Sequence, residues 1–190
     1  MHSKTVSRIG ILVALSVILT RYFGFMVNVA GVIGLRISFG EVPIMVSGIL
    51  LGPAVGAVTG ILSDLIGYML NPAGGPYYPG FTLTAALEGV LPSIVLSALG
   101  QGQRGKPKGS WSFPKILLAV AITGVSCSTL LNTFWIHRLY GKAFVVLLPS
   151  RIVARAFLIP VHSMVIHVLV RAFTPSLSQQ PLGQAGNTGA

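Results

Sequence analysis

Acidic side chains are nearly absent from this chain: Glu41, Asp64 and Glu88 are its only carboxylate residues in 190, set against 13 Lys and Arg. Only 8% of the residues are charged and 53% are hydrophobic, with a mean hydropathy of +0.81. A water-facing surface needs roughly a quarter to a third charged residues, so most of this chain is expected to face lipid. A soluble enzyme, a disordered chain and a collagen-like fibre are excluded on the same ground. The formal charge of +10 does not point to nucleic acid, because the basic residues are spread thinly between apolar runs instead of clustering on a polar scaffold. Cys127 is the single cysteine, which rules out an internal disulfide, and its place inside an apolar run reads as a small buried hydrophobe.

About twenty apolar residues cross a bilayer. The first such run, 6–23, follows a short basic start (Lys4, Arg8) and reads as a retained helix, because no small-residue cleavage site follows it. The second, 37–51, ends at Gly52-Pro53, and the third, 54–70, ends at Asn71-Pro72 and the loop AGGPYYPG. The fourth, 81–99, precedes GQGQRGKPKGSWS, the one long polar connection. The fifth, 115–137, is separated by 138–142 from the sixth, 143–173, in which Pro149 and Pro160 predict a bent or broken helix. The fold class expected is an all-α integral membrane protein, a compact bundle of six transmembrane helices spanning 1–173. The tail 174–190, rich in Gln, Gly, Pro and Ser, is expected to stay disordered.

Six crossings place Lys4, Arg8, Arg104, Lys106, Lys108, Lys115 and Arg171 on the side of both termini. Arg21, Arg36, Arg138 and Lys142 fall on the other, with Arg151 and Arg155 just inside the last helix. The positive-inside rule then makes both termini cytoplasmic. No transporter-type inverted repeat is visible.

Lipid should exclude the polar groups that remain, so each demands a reason. An acid at a helix centre costs about 2.5–3.5 kcal/mol on insertion scales. Asp64 therefore either bridges helices or contacts a ligand, and Tyr68, one turn on, shares its face. Glu88 either binds ligand or pairs with a basic residue nearer the cytoplasm. Arg36 and Glu41 flank the start of the second helix, as a mutual interfacial pair or with Arg36 receiving an anionic ligand group. Arg151 and Arg155 stack four residues apart, with His162 continuing their face; Arg151 can snorkel, while Arg155 needs a buried partner. Asn132 and Trp135 share a face and suit a flat heterocycle, the amide for its polar edge and the indole for stacking. Tyr77, Tyr78 and Phe81 stand in a Gly- and Pro-rich loop that reads as an ordered aromatic lid or as interface anchors. Gly10 and Ala14 form a small-residue face on the first helix, and Gly52, Gly56 and Gly60 form another around the third; both permit close helix packing. His162 and His167 do not match helical metal-ligand spacing, so no metal is expected. No HExxH, GxSxG or Walker motif is present, which argues against proteolysis and against ATP hydrolysis by this chain.

The stretch LRISFGEVPIMVSGILLGPAVGAVTGILSDLIGYM resembles the second and third helices of the substrate-binding S components of energy-coupling factor (ECF) vitamin transporters. Within that group, GGPYYPGFTLTAALEG and LNTFWIHRLYGKAFVVLLPSRI resemble the folate-specific S components. The resemblance runs from about Val6 to Phe173. It implies a multi-pass protein of the bacterial cell membrane, not an enzyme. Such a protein captures folate from outside and delivers it with a transmembrane T component and two ATPase subunits, which use the ATP; this chain needs no cofactor of its own. The T component would contact the Gly10 and Ala14 face, where family members carry two alanines. Glu88 departs from the small or hydroxyl residue expected in folate members.

Folate combines a flat pterin, a benzoyl linker and a glutamate tail. Stacking is expected from Trp135, Tyr68, Tyr77 and Phe81, ring hydrogen bonds from Asn132 and Asp64, and carboxylate contacts from Arg36 and Arg151. Thr82, in the PGFTL stretch, joins the expected ligand contacts. Each aromatic contact adds about 0.5–1.5 kcal/mol beyond burial, and a charge-assisted pair about 1.5–3 kcal/mol. An S component for thiamine or riboflavin is the neighbouring alternative, and a small membrane enzyme using Asp64 and Glu88 is the distant one.

Overall fold

Proline and glycine punctuate this chain into helices. A computed structural model describes residues 3–29, 32–72, 76–100, 112–141 and 144–178, with the backbone alone described at 3–4, 25–29, 32–37, 144–147 and 174–178. The elements are α1 (Ser3–Arg21), β1 (Phe25–Val29), β2 (Val32–Ile37), α2 (Glu41–Leu51), α3 (Pro53–Leu70), α4 (Pro79–Ala98), α5 (Phe113–Thr123), a π-helical segment (Gly124–Leu131), α6 (Asn132–Tyr140) and α7 (Phe144–Ser178). Pro53, Pro79 and Pro114 sit in the first turn of their helices, where a missing N–H is no loss and the fixed φ suits the helix. Gly52 (φ 104°) turns α3 back against α2, and Gly141 (φ 62°) closes α6 in the left-handed conformation, its N–H donating to the His137 carbonyl.

Six helical segments result, because α5, the π-helical segment and α6 join into one rod, Phe113–Tyr140. Together with α3, α4 and α7, that rod is long and apolar enough to cross a membrane. At 11 residues α2 is shorter, about 16 Å at 1.5 Å per residue. It is the bundle's inner helix, buried from Val42 to Gly48.

Glycines set the spacing of α2, α3 and α4. A methyl group at Gly48 or Gly56 would fall on the Gly89 carbonyl, one at Gly89 on the Gly56 carbonyl, and one at Gly60 on the Ala85 carbonyl. The small-residue face expected around the third helix is thus an internal seam, at which backbones touch directly. An apolar core of Val42, Met45, Val46, Leu96, Ile116, Ala119, Val120, Ile166 and Val170 joins α2, α4, α5 and α7. On α1, Ile9, Val13 and Val17 pack towards Val55, whereas Gly10 and Ala14 are exposed beside Val6, Ile11, Leu15 and Ile18.

Three boundaries differ from expectation. Strands Phe25–Val29 and Val32–Ile37 pair antiparallel with a register shift at Val27/Asn28, so the second helix begins at Glu41 and not at 37. The β-branched content of FMVNV and VIGLRI favours strand, but in so apolar a chain that signal is masked by the membrane-helix pattern. Pro149 and Pro160 do not break α7, which is one helix of 35 residues; long membrane helices tolerate single prolines where neighbouring groups satisfy the freed carbonyls. The same helix runs on to Ser178, past the expected boundary at 173, and residues 179–190 lie outside the described residues.

Candidate functional site

All three acids of the chain line one cavity of about 260 Å³, near the lower end of the ~300–1,000 Å³ usual for ligand pockets. Its walls come from the last turns of α1, the start of α2, the second half of α3, the first half of α4, the π-helical segment with α6, and the first turns of α7. Alternating helix directions bring these segments to one end of the bundle, the end away from both termini.

The floor is ionic. Arg155 grips Glu41 with both nitrogens, Nη1 to Oε2 and Nη2 to Oε1, each at 2.6 Å. Ser128 Oγ donates to Glu88 Oε1 at 2.7 Å and stands 3.3 Å from Glu41 Oε1. Arg151 Nη1 donates to the Ser128 carbonyl at 2.8 Å. His162, on the same face of α7, is buried against Phe39 (centroids 5.3 Å apart) with Nδ1 4.0 Å from Glu41 Oε2. Four elements (α2, α4, the π-helical segment and α7) are therefore tied at one point, and bidentate charge-assisted bonds fix its geometry.

Ser128, in the π-helical segment, and Asn132, four residues on, share one face and both line the cavity. Above the floor, the Asn132 side-chain amide oxygen (Oδ1) and Ser63 Oγ are buried without a hydrogen-bond partner. Such groups cost about 1–3 kcal/mol each when left unsatisfied, and a bound polar ligand removes that cost.

The mouth is aromatic. Tyr68 and Tyr77 meet edge to face at 5.3 Å, and Tyr78 and Phe81 do so at 6.1 Å. The Tyr77 N–H donates to the Tyr68 hydroxyl at 2.9 Å. Thr82 Oγ1 donates to Asp64 Oδ2 at 2.6 Å and lies 2.8 Å from the Tyr77 hydroxyl. Arg21 reaches the mouth from α1 and caps α3 through the Asn71 carbonyl at 2.6 Å.

Of the residues singled out from sequence, Asp64, Tyr68, Tyr77, Phe81, Asn132 and Arg151 converge on this cavity. Trp135 does not line it. Its Nε1 donates to Thr84 Oγ1 at 3.0 Å and its ring packs on Gly80 and Tyr78 (centroids 5.6 Å apart), so it backs the wall and presses Tyr78 and Thr84 inward. Thr82 likewise stands off the wall, where it holds Asp64 and the Tyr77 hydroxyl. Arg36 belongs to β2, and its side chain lies outside the described residues, as do Gly74, Gly75 and Lys142. Glu41 is held by Arg155, not left for an interfacial pair, and Glu88 points into the cavity instead of pairing with a cation nearer the termini. Sequence reasoning missed Glu41, Ser128, Arg155 and Arg21 as wall residues. The available signal was the scarcity of acids, since each carboxylate in so apolar a chain needs a wet or polar neighbourhood.

Known proteins agree with this architecture. The crystal structure of FolT bound with folic acid superposes at a TM-score of 0.73, covering 92% of this chain and 96% of that one at 24% identity. The S component of a bacterial ECF transporter matches at a TM-score of 0.60, covering 94% and 97% at 19% identity. In sequence, the folate transporter FolT of Clostridium novyi (strain NT) is 32% identical over 156 residues, 82% of this chain and 81% of that protein. The pattern of the family described as ECF transporter, substrate-specific component, matches residues 4–170. The chain is an integral membrane protein and belongs to the substrate-specific components of ECF transporters.

Proposed function

We propose that this chain captures folate, or a close derivative, outside the cell and delivers it through a shared energising module of one transmembrane T component and two ATPase subunits. The observation that carries the reading is the cavity itself, in which tyrosine and phenylalanine rings stand over buried carboxylate, amide and hydroxyl groups. A pterin needs flat apolar faces and polar partners along one edge. The polar interior suits a pterin, and the mouth, where Arg21 stands, suits a glutamate tail. The folate transporter of Clostridium novyi is the relative that supports the substrate.

The basic residues supply the orientation. Lys4, Arg8, Lys115 and Arg171 belong to the end opposite the cavity, while Arg104, Lys106 and Lys108 lie outside the described residues. The positive-inside rule puts that end in the cytoplasm and the cavity mouth outside. ATP hydrolysis belongs to the partner subunits.

Purified in detergent, the chain is expected to bind folate one to one by calorimetry, with a change in tryptophan fluorescence that Trp135→Phe removes. Heat with thiamine or riboflavin and none with folate overturns the substrate while leaving the family intact. Docking is tested at the exposed face of α1. A Cβ at Gly10 meets nothing within 4 Å, so this face has room for close approach by a partner helix. Ala14→Trp is expected to abolish folate uptake in cells that carry the energising subunits while leaving folate affinity in detergent unchanged; normal uptake removes this face as the docking surface.

A further inference from the structure

Of the three carboxylates in the cavity, only one is available to a ligand deep inside. Both oxygens of Glu41 are taken by Arg155. Asp64 is tied through Thr82 to the Tyr77 loop at the mouth. Glu88, only 6% exposed, accepts one hydrogen bond, from Ser128 to Oε1. Among the described residues no cation lies within ion-pairing distance of it. Glu88 stands two turns of α4 below Phe81, about 10 Å at 1.5 Å per residue, so it faces whatever part of the ligand enters first.

Two further groups of the cavity wall are unsatisfied. Ser63, nearer the mouth, is 7% exposed and its Oγ has no partner, and the buried side-chain amide oxygen of Asn132, one turn on from Ser128, has none either. As a carboxylate Glu88 accepts through Oε2, and the Asn132 amide oxygen accepts as well. The ligand edge that completes them must therefore donate, from adjacent N–H groups. A buried carboxylate pairs best with two parallel donors, as in an amidine- or guanidine-like edge.

From these observations we infer that Glu88 reads the 2-amino and N3–H edge of a pterin ring and so decides which pteridines this chain accepts. The assignment rests on the folate reading above and deepens it. A 2-amino-4-oxo ring gives the carboxylate two donors. A 2,4-dioxo ring gives it a carbonyl oxygen in place of one of them, which sets oxygen against oxygen.

The test is competition against labelled folate by pterin and by lumazine, the same ring with oxygen in place of the 2-amino group. The wild-type chain is expected to prefer pterin by at least tenfold. Glu88→Gln, which turns an acceptor oxygen into a donor NH₂, is expected to lose at least tenfold in folate affinity and to bring the pterin-to-lumazine ratio to one or below. Glu88→Asp, which keeps the carboxylate, is expected to bind folate more weakly yet still prefer pterin. The preference within the wild type and Glu88→Asp stands as a readout even where Glu88→Gln does not fold. A wild type that binds folate without separating the two rings overturns the assignment, as does a Glu88→Gln variant that keeps the wild-type ratio. A wild type that binds no folate removes the substrate proposal itself, and this assignment with it.

Discussion

Arg155→Ala should unfold this protein far more readily than any other side-chain truncation at the cavity, with an expected loss of about 3–5 kcal/mol, the usual cost of removing one partner of a buried ion pair. The reason is geometric. Arg155 satisfies both oxygens of Glu41, and Glu41 sits where α2 leaves the hairpin and enters the bundle. Without the guanidinium, a carboxylate stays buried with the Ser128 hydroxyl, 3.3 Å away and already given to Glu88, and the more distant His162 Nδ1, 4.0 Å away, as its remaining polar neighbours. Removing both charges together is expected to restore most of the loss, because the cost lies in the uncompensated charge and not in the missing contact. Thermal unfolding in detergent of Arg155→Ala and of the Glu41→Gln/Arg155→Met double variant checks this. A double variant no more stable than the single one would show that the pair's packing, not its charge balance, holds the site.

The second large effect lies away from the cavity, at the glycine seam. Gly89→Ala puts a methyl group on the Gly56 carbonyl, and the obstacle is backbone, which cannot rotate aside. Over-packing a tight site costs about 1–3 kcal/mol, and here the expected value is the upper end or beyond, since α3 and α4 must move apart along their whole contact. Gly56→Ala meets the Gly89 carbonyl and the backbone of Gly48 and is expected to behave alike. Gly10→Ala is the matched control. Its Cβ has nothing within 4 Å, so the gain in helix propensity, up to about 1 kcal/mol, should appear alone. Melting curves of the three variants side by side decide the matter: equal effects at Gly89 and Gly10 would mean that the seam is looser than its geometry states.

Much of the architecture was legible without coordinates. Lipid as the surrounding medium followed from three acids in 190 residues, because surface charge is a direct requirement of water contact. Helix positions followed from apolar run length and from Gly52-Pro53, Asn71-Pro72 and the break at 138–142, where the pattern is interrupted. The strand pair β1 and β2 escaped because apolar β-branched residues serve a strand and a membrane helix equally well, and only the pairing of Phe25 with Ile37 and Met26 with Arg36 separates the two.

The site divides along the same line. Residue type alone marked Asp64, Asn132 and Arg151 as polar groups in need of a destination, and ring content marked Tyr68, Tyr77 and Phe81. Their neighbours in space did not follow from sequence. Glu41 and Arg155 are 114 positions apart, and Ser128 and Glu88 are 40 apart, and no local periodicity links such pairs. Trp135 shows the limit best: helical spacing put it on the face of Asn132, but whether an indole meets ligand or a neighbouring threonine depends on how α6 rotates against α4.

What the sequence by itself determined, then, is the solvent, the number of helices, and the inventory of polar groups that lipid could not accept. Only the tertiary structure decided which of those groups satisfy one another and which remain open to a ligand. Burial makes every charge and hydroxyl seek a partner, but the partner is chosen by the packing of whole helices, which the glycine seam and the π-helical segment set in three dimensions.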